Sequence, residues 1–85
     1  MNQRHNRVPI RIPVRVIGHS STGDRSYEGI CTDINERGAV ELELEAILDM
    51  TNSVELEFLQ NHHTVFHRKA RLPYRCRRRY GAYLL

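Results

Sequence analysis

The sequence lacks the segments that would carry a protein into or across a membrane. Nowhere do about 18 apolar residues follow one another, which is the length that a membrane-spanning helix needs. No charged-then-apolar leader is visible at the N-terminus, so we expect no secretory signal peptide. Cysteine is scarce as well, because Cys31 and Cys76 are the only two. Without an export signal we expect both to be reduced thiols. These absences favour a cytoplasmic protein.

Helical periodicity is missing too, since no segment sustains apolar residues at the spacing of an amphipathic helix. The 85 residues have room for one domain, and an apolar content of 40% suits a small β-rich core. We therefore expect a single all-β domain.

Acidic residues are absent from the last third of the chain, where none follows Glu57. Cations crowd the same region, and the acids concentrate in the middle of the chain. Within twelve residues lie Arg68, Lys69, Arg71, Arg75, Arg77, Arg78 and Arg79. With a net charge of +3, this asymmetry predicts one basic face, one acidic face and an anionic partner for the basic one.

Strict alternation of apolar and polar residues predicts the first strand, over residues 8–16. Its inward side chains are expected to be Val8, Ile10, Ile12, Val14 and Val16. Pro9 and Pro13 lack an N–H, so this strand should start at an edge or pair irregularly.

The same reasoning places five more strands along the chain. The fifth is long, with an apolar face that Arg68 interrupts, so a bulge or a frayed start is expected there. Its expected inward residues are Phe66, Ala70, Leu72, Tyr74 and Cys76. The other predicted strands are residues 27–32, 39–45, 53–58 and 80–85, with a loop at 18–26 and turns at 46–52, 60–63 and 78–79. Six short strands indicate a small antiparallel barrel or sandwich, and closure into a barrel would remove the exposed edges.

A polar hexapeptide, Asp33-Ile34-Asn35-Glu36-Arg37-Gly38, stands between the second and third predicted strands. Asp33 and Asn35 are two residues apart, so on an extended strand end they would face one ligand. Gly38 lets the backbone pass where a side chain would not fit. An Asx-type turn, in which the two side chains bond their own backbone, is the alternative. The local pattern leaves both interpretations open.

Taken with its surroundings, the hexapeptide resembles the D/N-x-S-x-x-G motif of the PilZ domain family. Arg7 before Val8-Pro9-Ile10 is similar to the last arginine of the family's RxxxR motif, and residues 80–84 are similar to its final strand. The resemblance implies a six-stranded antiparallel β-barrel of Greek-key type over residues 8–85. Residues 1–7 would be a flexible N-terminal arm.

What the resemblance implies about function is a receptor or adaptor module that binds cyclic di-GMP in bacterial second-messenger signalling. The ligand would lie between the arm and the hexapeptide and bind Arg4, Arg7, Asp33, Asn35 and Gly38. No further cofactor is implied. The chemistry is sensible, because guanine O6 and N7 suit a guanidinium and its N1 and N2 donors suit a carboxylate.

The sequence departs from the family pattern at two positions. Gln3 stands where the first arginine would fall, with Arg4 one residue later, and Asn35 stands in place of the motif serine. Pairing Arg7 with Arg11 restores the spacing but puts Arg11 inside the first strand. The departures leave room for an adaptor that has lost the ligand and acts through contacts with an effector protein.

A different function is suggested by the basic run from Arg75 to Arg79. Small basic barrels bind single-stranded nucleic acid with tyrosines interleaved among arginines, and Tyr74, Tyr80 and Tyr83 are candidates. The inward phase of Tyr74 and Tyr80, together with the modest net charge, argues against it.

Metal binding and catalysis are not expected. In a strand, His63 and His67 would be about 13 Å apart at roughly 3.3 Å per residue, too far for one ion. His62 adds only a third imidazole. No cysteine–histidine or paired-carboxylate arrangement points to an enzyme.

No C-terminal helix such as many relatives carry is visible before Leu85. We therefore expect that a second subunit could cover the barrel opening in a homo-oligomer.

Overall fold

The structure is a computed structural model that describes residues 8–48 and 53–85. Its six strands are β1 (Val8–Ser20), β2 (Gly23–Ile34), β3 (Ala39–Leu44), β4 (Val54–Gln60), β5 (His63–Cys76) and β6 (Arg79–Leu84). Every paired neighbour is antiparallel, and the strands close into a barrel in the order β1-β2-β3-β6-β5-β4. The predicted six-stranded antiparallel barrel is confirmed. The described residues include no helix that is long and apolar enough to span a membrane.

The barrel core follows from the alternation in β1, β3, β4 and β6. In β1, Val14 and Val16 are buried while Ile10 and Ile12 pack partly buried against the core. Arg11 is exposed on the outer face of the same strand. The predicted irregularity near the prolines is also confirmed, because the pairing of β1 with β2 shifts register between Pro9 and Ile12.

Tyr80 is fully buried, and its hydroxyl accepts a hydrogen bond of 2.9 Å from the Leu48 N–H. A buried tyrosine needs such a partner for its polar end. This bond ties the chain that follows β3 to the interior of the barrel, so Tyr80 is core, as its phase predicts.

The prediction of a loop at residues 18–26 is wrong. Those residues form a hairpin in which Gly18 pairs with Arg25, His19 with Asp24 and Ser20 with Gly23. This part of β1 and β2 extends past the barrel, because the pairing of β1 with β4 ends at Gly18. Residues 19–26 of this ribbon are exposed, and its strands carry the polar residues that are typical of loops.

The predicted inward face of β5 is wrong at three of its five positions. Ala70 and Leu72 are buried, but Phe66, Tyr74 and Cys76 are exposed. For Tyr74 and Cys76 the cause is the register shift with β6 between Arg71 and Tyr74, because one extra residue moves every following side chain to the other face. Pro73 lies in this bulge, where its missing N–H breaks no ladder hydrogen bond. Phe66 precedes that shift; it pairs with buried Phe58, and its ring packs beside the Phe58 ring while remaining 44% exposed.

A bulge at Arg68 is also not found. Arg68 pairs regularly with Leu56, and the register with β4 shifts nearer the hairpin, between Phe58 and Leu59. The turn predicted there is present: Asn61 and His62 both have positive φ, at 52° and 68°. That pair of angles is typical of a tight two-residue hairpin turn.

Separate acidic and basic faces do not form. The glutamates of β3 and β4 lie on opposite sides of the basic pair β5–β6, because the strand order is β3-β6-β5-β4. Glu43 pairs with Arg79 on one side, and Glu55 pairs with Lys69 on the other. Opposite charges therefore meet across neighbouring strands, which stabilises the sheet modestly.

Candidate ligand-binding groove

An open groove of about 270 Å³ lies beside the β2–β3 turn, on the outer face of β3, β6 and β5. Its polar and aromatic lining residues are Asp33, Asn35, Glu41, Tyr74, Arg79, Tyr80 and Tyr83. Two of these belong to the hexapeptide. The volume is near the lower end of the range for small-molecule sites, which starts at roughly 300 Å³.

Asp33 lies at the end of β2, where it is half-buried. In the sheet it is opposite Pro9 of β1 on one side and Glu41 of β3 on the other. The Cys31 thiol donates to the Asp33 carbonyl at 3.5 Å, and burial raises the pKa of that thiol. Asp33 is one of the residues that line the groove.

Asn35 forms the turn with its own side chain. Its Oδ1 accepts hydrogen bonds from the N–H groups of Arg37 at 2.8 Å and Ala39 at 3.1 Å. The backbone adds a bond from Asn35 N–H to the Ala39 carbonyl at 2.9 Å. This is the Asx-type turn that the sequence left open. Asn35 therefore borders the groove while its carboxamide oxygen serves the backbone.

Gly38 is required by the backbone conformation, with φ at 86°. Its N–H donates to the Asn35 carbonyl at 3.1 Å, and its own carbonyl accepts from Leu84 N–H at 2.9 Å. A Cβ built on Gly38 would be 3.8 Å from Leu84, so there is space but an unfavourable φ for other residues. Gly38 holds the turn against β6 and does not line the groove.

Arg4 and Arg7, the predicted arm ligands, lie outside the described residues. In the sequence Arg7 directly precedes Val8, and Val8 is the residue of β1 that pairs with Ile34 of the hexapeptide. The start of β1 and the hexapeptide are thus paired neighbours in the sheet.

Sequence reasoning did not place the other side of the groove, formed by Glu41, Tyr74, Arg79, Gly81 and Tyr83, beside the hexapeptide. It considered Tyr74, Arg79 and Tyr83 only for nucleic acid. The outward phase of β3 and β6 could have found Glu41, Arg79, Gly81 and Tyr83, because these residues alternate with buried Val40, Leu42, Tyr80 and Ala82. Tyr74 could not be found this way, since only the bulge at Pro73 turns it outward. It is 62% exposed.

Charge in the groove is mixed and loosely paired. Arg79 Nη1 is 3.9 Å from Glu41 Oε2, and their side chains are 65% and 39% exposed. An ion pair of this kind contributes little to stability. Both groups are therefore accessible to a ligand.

A second polar cluster lies elsewhere, across β1, β2, β4 and β5. His19 contacts Asp24 at 2.7 Å and Glu55 at 2.8 Å, and His67 contacts the other oxygen of Glu55 at 2.6 Å. The bonds to Asp24 and Glu55 raise the pKa of His19, and the bonds from His19 and His67 lower the pKa of Glu55. No group of side chains within residues 8–48 and 53–85 has the arrangement of a metal site.

Comparison of the chain with protein-family models, with curated proteins and with solved structures gives no match.

Proposed function

We propose that this barrel is a receptor module for cyclic di-GMP, with the ligand held between the segment that contains Arg4 and Arg7 and the groove beside the hexapeptide. One observation carries the proposal: Asp33 and Asn35 line an open groove whose other walls supply an arginine and two exposed tyrosines. The start of β1 pairs with the hexapeptide, and Arg7 directly precedes β1 in the sequence.

The groove offers the chemistry that a guanine nucleotide needs. Asp33 accepts from the N1 and N2 donors of the base, while Arg79 donates to guanine O6 or to a phosphate. Tyr74 and Tyr83 present exposed rings for stacking. The arm arginines neutralise the phosphates, and charge-assisted hydrogen bonds of this kind contribute roughly 1.5–3 kcal/mol each.

In this proposal, signalling depends on the change in charge that ligand binding causes at one end of the barrel. A ligand with two phosphates draws the basic arm across the groove and changes the surface that an effector protein meets. The proposal includes a bacterial, cytoplasmic setting, since the ligand is a bacterial messenger inside the cell.

Calorimetric titration of the full chain with cyclic di-GMP tests the proposal. We expect binding that Asp33→Ala and Arg7→Ala each weaken by tenfold or more, about the loss of one charge-assisted bond. Arg25→Ala is the matched control, because Arg25 is exposed in the hairpin of β1 and β2 and does not line the groove. No heat at near-millimolar ligand would contradict the proposal and leave the protein-binding adaptor.

A second candidate is single-stranded nucleic acid, and the exposure of Tyr74 and Tyr83 beside Arg71 favours it. Bases would stack on the two rings while the arginines of β5 and β6 follow the backbone. A labelled oligonucleotide should then bind with an affinity that falls as salt rises. Absence of salt-dependent binding excludes this candidate.

A further inference from the structure

Four residues from four strands form one row across the outer face of the barrel. Asp33 of β2 is opposite Glu41 of β3, Glu41 is opposite Gly81 of β6, and Gly81 is opposite Tyr74 of β5. Gly81 has no side chain, so the row has a depression between the Glu41 carboxylate and the Tyr74 ring. Their strands lie on either side of β6, roughly 9–10 Å apart at about 4.8 Å per strand.

Tyr74 forms the aromatic wall of this depression. A Cβ built on Gly81 would be 3.6 Å from Tyr74 Cβ and 3.8 Å from its Cδ2, so the ring begins within van der Waals reach of the open Gly81 position. Tyr83 is two residues further along β6 on the same face, and the two tyrosines are 62% and 53% exposed. Exposed aromatic rings of this kind are stacking surfaces for a planar base.

The opposite wall is acidic, which restricts the ring that it accepts. Glu41 Oε2 is 3.9 Å from Arg79 Nη1, too far for a good hydrogen bond, and both groups are solvent-accessible. A carboxylate accepts hydrogen bonds and donates none. Guanine presents two donors, N1–H and N2–H, on one edge, whereas adenine presents an acceptor at N1. Glu41 thus favours guanine over adenine.

We propose that Glu41, Gly81 and Tyr74 form a base-reading subsite, outside the hexapeptide, that holds one guanine ring and rejects adenine. Tyr74 supplies the stacking surface, Gly81 the space and Glu41 the discrimination. The inference rests on the proposed function, because it assigns one base of the cyclic dinucleotide to this wall of the groove.

Calorimetry of the full chain with cyclic di-GMP and cyclic di-AMP tests the discrimination, because the two ligands differ only in their bases. Glu41→Gln should weaken cyclic di-GMP binding by about ten- to hundredfold and leave cyclic di-AMP binding unchanged or stronger. Glu43→Gln is the matched control, since Glu43 is exposed on the same face of β3 and does not line the groove. Equal behaviour of the two variants overturns the role of Glu41.

Stacking is tested separately with two substitutions at one position. Tyr74→Ala should weaken cyclic di-GMP binding by about five- to hundredfold, while Tyr74→Phe keeps the ring and should bind like the parent. Urea unfolding of each variant verifies that the barrel is intact. Loss of binding in both variants, or in neither, overturns the stacking role.

Failure of the subsite and failure of the receptor function give different results. If cyclic di-GMP binds and Glu41→Gln and Tyr74→Ala both bind normally, the receptor stands and the subsite is wrong. If cyclic di-GMP does not bind, GMP is added while backbone amide shifts are followed by NMR. Shifts at Tyr74 and Gly81 that vanish in Tyr74→Ala keep the subsite without the receptor, and no such shifts overturn both.

Discussion

Asn35 explains how the hexapeptide keeps its shape without a serine. A serine or an asparagine at this position can accept hydrogen bonds from backbone N–H groups two or more residues later. Here Asn35 Oδ1 accepts two such bonds, from Arg37 and Ala39. Asn35 therefore maintains the turn that follows Asp33 at the groove.

Replacing this side chain should destabilise the barrel. Asn35→Ala leaves two half-buried or exposed N–H groups without their acceptor, and we expect the free energy of unfolding to fall by about 1–2 kcal/mol. Asn35→Asp keeps the acceptor oxygens and is the matched control, with a smaller loss. Urea unfolding followed by circular dichroism measures both. An Asn35→Ala midpoint equal to that of the parent would contradict the role of the turn.

The two thiols should differ in reactivity by their location. Cys31 is fully buried, its pKa is raised by that burial, and it bonds the Asp33 carbonyl, whereas Cys76 is exposed. A thiolate is the reactive form, so Cys31 should resist modification. We expect the native protein to react rapidly with one equivalent of a thiol reagent and the denatured protein to react with two. Cys76→Ser should abolish the rapid reaction of the native protein.

The turn of the hexapeptide could be predicted from the sequence, because Asn35 and Gly38 fulfil turn roles that depend on neighbouring residues. The face of Asp33 could not, since the pairing of β2 with β3 shifts register between Cys31 and Asp33 and thereby separates Asp33 from the inward face of Cys31. The burial of the tyrosines could not be predicted equally well. Tyr80 lies in a regular strand and its inward phase is confirmed, whereas Tyr74 follows the bulge at Pro73 and is exposed.

At the scale of strands, irregular pairing decided where prediction failed. Alternation assumes one residue per step along both partners. That holds for β3 and β6, whose register is continuous, but not for β5, which shifts against both β4 and β6. A shift depends on the partner strand as well as on the shifted one. The sequence of β5 alone therefore could not reveal that Tyr74 joins the groove.

The polar cluster of His19, Asp24, Glu55 and His67 joins the four strands β1, β2, β4 and β5, and its stability should depend on pH. The raised pKa of His19 means that its protonated form stabilises the fold below about pH 6.5, the ordinary value. This contribution disappears as the pH rises through the raised pKa. The lowered pKa of Glu55 means that its ionised form contributes above about pH 4.5, and this contribution disappears as the pH falls through the lowered pKa. Both contributions to stability are therefore present between about pH 4.5 and pH 6.5.

We therefore expect His19→Gln to lower the Tm most between about pH 4.5 and 6.5 and less at pH values well above His19's raised pKa. The effect should be small, because the cluster is solvent-exposed. His63→Gln is the control, since His63 is exposed on β5 and its ring is not part of the cluster. Thermal melts across the pH range measure both variants. A pH-independent difference between His19→Gln and the parent would contradict the linkage.

At the scale of the molecule, strand order places acidic residues on both sides of the basic strands. The chain keeps its acids and bases in separate segments, yet Glu41 lies near Arg79 and Glu55 contacts His67 in the closed barrel. The groove therefore carries both signs of charge. This suits a ligand that has both hydrogen-bond donors and phosphates better than it suits a polyanion. Homo-oligomer formation stays a prediction. A solution mass of 10.0 kDa, that of one chain, would contradict it.

Ligand binding and folding of the whole barrel should be linked, because the groove uses residues from β2, β3, β5 and β6 and exists only when the barrel is closed. A ligand that binds only the folded state at 100 times its Kd raises the free energy of unfolding by about 2.7 kcal/mol. For a domain of this size that corresponds to a Tm increase of roughly 10–20 °C. We expect cyclic di-GMP to produce this increase in a thermal melt and cyclic di-AMP to produce a smaller one. In Asp33→Ala a tenfold weaker affinity leaves about 1.4 kcal/mol at the same cyclic di-GMP concentration, so the Tm increase should be about half that of the parent or less. An unchanged Tm with near-millimolar cyclic di-GMP would contradict both the linkage and the receptor function. An equal Tm increase with the two ligands would mean that the groove binds nucleotides without a preference for guanine.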